Sequence, residues 1–136
     1  MSYAGDITPQ QAWDLLQGDP DAVLVDVRTD AEWKYVGIPE TSSIGRRTVF
    51  VEWVGYPHGA PNTRFVEELR AAGIDGGPVI FLCRSGQRSI GAAVAATAAG
   101  LAPSYNVLEG FEGALDPEGH RGAEGWRAAG LPWRQS

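Results

Sequence analysis

The segment Cys83-Arg84-Ser85-Gly86-Gln87-Arg88-Ser89 concentrates the residue types in this chain that can do chemistry. Cys83 is the sole cysteine and follows directly on the apolar run Pro78-Val79-Ile80-Phe81-Leu82, which reads as a strand. A helix is expected from about Ser89 to Ala99, rich in alanine and closed by Gly100. A thiol held between a strand end and a helix start meets the positive N-terminal end of that helix. Gly86 permits backbone angles that other residues resist, so the loop can curl its amides inward around an anion. Arg84 and Arg88 add two formal positive charges, and such surroundings favour the thiolate, the nucleophilic form of cysteine. The chemistry implied is attack by sulfur. Cys83 is the candidate nucleophile, and Arg84, Ser85, Gly86, Gln87, Arg88 and Ser89 are the candidate substrate-binding loop, with Arg88 able to turn back toward a bound anion. A lone cysteine after an apolar strand can also be a small buried hydrophobe, but two arginines beside a glycine turn require solvent or an anion.

Further candidates lie elsewhere in the chain. Asp26 ends the apolar run Ala22-Val23-Leu24-Val25, so Asp26 and Arg28 are expected at the same edge of a sheet as Cys83. Asp26 can orient Arg88 or a loop amide, or it can cap the next turn while Arg28 pairs with Glu32; the structural role is favoured. The segment Arg46 to Pro61 carries Phe50, Trp53, Tyr56 and His58 beside Arg46 and Arg47. Long connections without regular structure are often binding loops. Trp53, Tyr56 and His58 therefore either line a pocket and select the acceptor or cover an edge of the core. Asp116-Pro117-Glu118-Gly119 lacks the ligand spacing of an EF-hand, and His58 and His120 are too far apart in sequence to suggest a metal pair. No metal and no organic cofactor is expected.

The elements that position these residues alternate strand and helix. Thr8-Pro9-Gln10-Gln11 is a capping box with proline at the first helical position, followed by Ala12, Leu15 and Leu16 at helical spacing and stopped by Gly18. Ala22 to Val25, a run ending at Asp26, reads as a strand buried on both faces. Thr29-Asp30-Ala31-Glu32 is a second capping box, starting a short helix through about Tyr35 that Gly37-Ile38-Pro39 breaks. Ser42-Ser43-Ile44 reads as a short strand, Thr48 to Val51 as extended, and Asn62 as the cap of a helix carrying Phe65, Val66, Leu69 and Ala72. Tyr105-Asn106-Val107-Leu108 is the last expected strand. A short helix near Trp126 to Ala129 and a tail docked by its apolar residues complete the chain. The pattern predicts an α/β fold, a parallel sheet of about five strands with helices on both faces, in one domain over residues 5 to 133.

Taken together, Cys83 to Arg88, the preceding strand, Asp26-Val27-Arg28 and the Leu108-Glu109-Gly110 turn resemble a rhodanese domain. The resemblance runs from about Ile7 to about Trp133. It implies that Cys83 accepts sulfane sulfur from a donor such as thiosulfate as a persulfide and passes it to cyanide or a thiol. The family loop has six residues, as Cys83 to Arg88 does. The related dual-specificity phosphatases of the cell-cycle type use a loop one residue longer, and here position 89 is serine. Val36-Gly37-Ile38-Pro39 lacks the histidine that many members carry before the Ile-Pro. The segments Arg46 to Pro61 and Ala114 to Glu124 are longer than in minimal single domains and are expected near the pocket rim.

Composition narrows the classes further. With 136 residues and 43% apolar content a core can form, while a net charge of -6 argues against a general nucleic-acid binder. The N-terminus has no basic or apolar leader, and no run reaches the length of a membrane span, so a cytoplasmic protein without membrane association is expected. The expected partners are a small-molecule sulfur donor and acceptor, with a protein thiol as a further candidate acceptor. The rival readings are a non-catalytic sulfur-carrier or anion-binding module and a phosphatase or arsenate reductase using the same thiolate.

Overall fold

The computed structural model describes residues 2–55 and 59–135. Five strands form one parallel sheet in the spatial order β1 (Gly5–Ile7), β6 (Ser104–Val107), β5 (Val79–Leu82), β2 (Val23–Asp26) and β4 (Thr48–Phe50). The helices are α1 (Pro9–Gly18), α2 (Asp30–Tyr35), α3 (Phe65–Ala71) and α4 (Arg88–Ala98). The expected α/β architecture is present. Both capping boxes close as their sequences imply, with Thr8 and Thr29 each exchanging hydrogen bonds with the third residue of the helix. A second, two-stranded antiparallel sheet joins β3 (Ile38–Pro39) to β7 (Trp133–Arg134), so the tail is held by backbone pairing as well as by side chains.

Side-chain alternation along β5 divides the core. Val79 and Phe81 join Val25, Phe65, Leu69, Ala92, Ala93 and Ala96, on the face covered by α3 and α4. Ile80 and Leu82 join Leu16, Val107, Phe111 and Trp126 on the other face. Cys83 continues the phase of Val79 and Phe81 and belongs to the α3/α4 side. Ala92, Ala93 and Ala96 are fully buried, and their small side chains let α4 lie close on the sheet behind the cysteine.

Several local expectations are corrected. Ser42–Ile44 is a 3-10 helix and not a strand; Gly45 follows in a left-handed conformation (φ 69°) and donates its N–H back to Ser42. Asn62 does not cap α3, which begins at Phe65 without a side-chain cap. Asn62 instead donates to the Glu52 carbonyl and accepts from the Arg64 N–H, tying down the preceding loop. Residues near Trp126 form turns and not a helix, since Gly125 and Gly130 both adopt positive φ. β1 was absent from the expected strands: at three residues it is too short to show a pattern. Among the described residues no helix is long and apolar enough to cross a membrane.

Candidate active site

Cys83 directly follows β5, and its sulfur is almost wholly enclosed, with the residue 1% exposed. The loop behind it turns at Gly86, which adopts a φ of 94°. That turn aims the Gly86 N–H at Cys83 Sγ, 3.2 Å away. Ser89 Oγ lies 3.1 Å from the same sulfur. α4 begins at Arg88, and its cap residue Gln87 makes no side-chain capping bond. The loop is clasped from behind by the turn after β6. Phe111 and Glu112 donate their N–H groups to the carbonyls of Cys83 and Arg84 at 2.8 and 2.9 Å. Gly110 makes this approach feasible, because a Cβ there would overlap the Cys83 carbonyl oxygen.

Asp26 and Arg28 support the loop from beneath. Both are fully buried. Arg28 Nε donates to the two Asp26 oxygens at 3.0 and 3.1 Å, and Nη2 donates to Asp26 Oδ2 and to the Gly37 carbonyl, each at 2.7 Å. The guanidinium lies 4.2 Å from the centroid of the Phe111 ring. The pair thus braces the residue whose amide holds the Cys83 carbonyl. The expected Arg28–Glu32 pairing is corrected: residues two apart in extended chain share a face, so Arg28 meets Asp26. For the same reason Asp26 does not orient Arg88.

Glu32 is the partner of Arg88 instead. The guanidinium donates to both carboxylate oxygens, at 2.8 and 2.9 Å. Arg88 is therefore forked onto α2, and part of its charge is neutralised there. Its own ionisation lies above the ordinary arginine value: burial opposes this, but Glu32 outweighs it, with Cys83 and Asp26 adding smaller attractions. Arg84 is exposed, as is Gln87, while Ser85 is half-buried and Ser89 fully buried.

A cavity of about 390 Å³ opens beside the loop, lined chiefly by Thr29, Glu32, Tyr35, Val36, Arg84 and Arg88. Gly55 and Gly59 complete its edge, so the long loop after β4 does reach the rim. Trp53 does not line it. Its ring packs edge-on against Phe65 at 5.0 Å and lies over Gly91, where a Cβ would come within 3.1 Å of the indole. Trp53 thus covers a core edge. Tyr56 and His58 lie outside the described residues. The Ala114 to Glu124 segment is not on this cavity; Ala123 and Glu124 line a separate one with Thr8 and Gln10.

Glu32 and the rest of the α2 wall were missed as site residues. Their signal was the Thr29 capping box itself, which places a carboxylate one turn beyond a strand end on the site edge of the sheet. Asn106 was also missed. A polar residue inside the apolar strand Tyr105 to Leu108 is the signal, and its consequence is taken up below.

Glu32 sets an acid limit on this arrangement. Burial pushes its carboxyl up, but the Arg88 fork, the Thr29 N–H and the Arg28 charge together hold it below the ordinary glutamate range. A carboxylate depressed in the folded state contributes stability above its unfolded value and loses it as pH falls through the folded one. Stability should hold down to the ordinary glutamate range and then drop. Glu32→Gln keeps the helix cap, since glutamine also closes a capping box, and should flatten that acid limb in denaturant titrations across pH. An unchanged acid limb would show that the fork carries no stability.

The rhodanese-like domain pattern matches residues 8–116. The chain belongs to the rhodanese-like domain family. It is 64% identical to Rv0390 from M. tuberculosis, whose crystal structure superposes with a TM-score of 0.93 over 99% of this chain and 100% of that one. An uncharacterized protein of Rickettsia conorii is 34% identical over 94% of this chain and 95% of its own. The polysulfide-sulfur transferase of Wolinella succinogenes shares the fold, at 24% identity and a TM-score of 0.63 over 94% of this chain and 76% of that one.

Proposed function

We propose that this protein is a sulfurtransferase that moves sulfane sulfur from a donor such as thiosulfate to cyanide or a thiol through a persulfide on Cys83. The observation that carries the reading is the placement of the only cysteine. Its sulfur sits at the carboxyl end of a parallel strand and at the start of α4, receiving the Gly86 N–H, beside a cavity edged by Arg84 and Arg88. Membership of the rhodanese-like family supports it. The thiolate attacks the outer sulfur of thiosulfate; the new S–S bond forms as the old one breaks, and sulfite leaves with the bonding pair. Cyanide then attacks the outer persulfide sulfur, thiocyanate leaves, and the Cys83 thiolate returns. The persulfide's terminal sulfur reaches ~2 Å beyond Sγ, toward the loop amides. The partners are small donors and acceptors or a protein thiol, and the reducing cytoplasm is the setting that keeps a lone thiol free.

One solved relative gives a second reading substance: a Rhodopseudomonas palustris protein described as a possible tyrosine phosphatase, 25% identical with a TM-score of 0.59 over 94% of this chain and 83% of that one. Here the loop-end arginine is forked onto Glu32 and the loop is one residue shorter than that of the cell-cycle dual-specificity phosphatases, which favours sulfur transfer. Mass spectrometry after thiosulfate treatment should show the gain of one sulfur atom, and cyanide should remove it. An aryl phosphate and arsenate should not be turned over. Turnover of the phosphate ester without sulfur loading would overturn the assignment.

A further inference from the structure

Behind the cysteine lies a buried polar pair, Ser89 and Asn106, both fully enclosed. Asn106 stands on β6 between Asp6 of β1 and Phe81 of β5. Its Nδ2 donates to the Gly86 carbonyl at 3.2 Å and to Asp6 Oδ1 at 3.0 Å. Both partners are acceptors, so the amide cannot be flipped without setting oxygen against oxygen. Asn106 Oδ1 is thereby turned toward Ser89, whose hydroxyl donates to it. Asp6 is exposed and is itself held by the Tyr3 hydroxyl at 2.7 Å. A hydrogen-bonded chain thus runs from Asp6 at the surface through Asn106 and Ser89 to Cys83.

A serine hydroxyl has one proton. With that proton on Asn106, Ser89 Oγ offers only lone pairs to Cys83 Sγ, 3.1 Å away. Lone pairs suit a thiol, which donates its S–H to them. They oppose a negatively charged sulfur, which then has only the Gly86 N–H as donor among the bonds described. For Ser89 to donate to the charged sulfur, its hydroxyl must rotate away from Asn106.

We propose that Asn106 is a positioning residue that restrains the reactivity of Cys83 by claiming the Ser89 proton. This rests on Cys83 being the reactive sulfur of the proposed transfer. Ser89 works as a two-position hydroxyl: it accepts from the thiol in one and donates to the charged sulfur in the other. Asn106, locked by Gly86 and Asp6, sets the cost of passing between them. The same amide bonds the Gly86 carbonyl, so the residue that supplies the loop N–H and the serine are held by one side chain.

Alkylation of Cys83 by iodoacetamide tests this without any sulfur donor; an S–C bond forms and iodide leaves. Asn106→Ala should raise the second-order rate at neutral pH by about tenfold, the effect of one freed hydrogen bond to a charged atom. The gain should vanish when Ser89→Ala is added, because the freed proton is then gone. Asp6→Ala, at an exposed position that leaves the core intact, should give a smaller rise of roughly twofold by loosening the amide. A purely structural role predicts slower alkylation in the Asn106 variant and no dependence on Ser89. An unchanged or reduced rate in both the Asn106 and Asp6 variants would overturn the proposal, as would a gain that survives in the Ser89→Ala background. If thiosulfate fails to load the protein while these gains hold, the transfer reading falls and the positioning role stands.

Discussion

Cys83→Ser is expected to eliminate sulfur loading altogether. The chain has no second thiol to substitute, and a serine hydroxyl cannot form the persulfide bond. The change is nearly isosteric, and the site offers serine the same two neighbours, the Gly86 N–H and Ser89 Oγ. Stability should therefore shift little, within the range of mild core substitutions of about 1 kcal/mol. Intact-mass measurement after thiosulfate treatment should show the gain of one sulfur atom in the wild-type chain and none in the variant, while denaturant midpoints stay close. Loading of the variant would remove Cys83 from the mechanism. A collapsed fold would mean that the thiol is chiefly a core residue.

The second large effect is on stability. Asp26→Asn should destabilise the fold by ~3–5 kcal/mol, because it leaves the Arg28 guanidinium charged, buried and unpaired. Both side chains are 0% exposed, so water cannot step in. A loss of this size is a substantial fraction of the stability of a small domain. The damage should also reach the site, since Arg28 stacks on Phe111 and the Phe111 N–H holds the Cys83 carbonyl. Faster protease cleavage within the loop around Cys83 would report that loss. Replacing both partners together, Asp26→Leu with Arg28→Met, should recover much of the stability, because removing a buried pair entirely is far milder than breaking it. A single-variant loss under ~1 kcal/mol would show that Arg28 finds another partner.

Much of the chemistry was legible from local sequence. A strand, a cysteine, a glycine turn and a helix in succession are enough to place a thiol at a helix start, because each is set by neighbours in the chain. The two threonine capping boxes and the apolar run of β5 likewise depend on near residues only, and the structure follows them. The fold class followed from their alternation.

Pairings across the sheet were decided by tertiary structure. Whether Arg28 meets Asp26 or Glu32 depends on which face each side chain takes and which helix packs there. In extended chain Arg28 and Asp26 share a face, which leaves Glu32 for Arg88 from a segment 56 residues away. Trp53 reads equally well as a pocket wall or a core cover until Phe65 and Gly91 are folded against it. β1 is legible only beside β6, since three residues carry too little pattern to stand alone. The role of Asn106 is the clearest case. Its type marks it as unusual in an apolar strand, but only packing brings Asp6 of β1 and the Gly86–Ser89 loop to it from two separate parts of the chain. Local sequence governs what is built from adjacent residues. Hydrogen-bond direction and charge partnership belong to the fold, because a donor or a charge is satisfied by whatever group arrives in space.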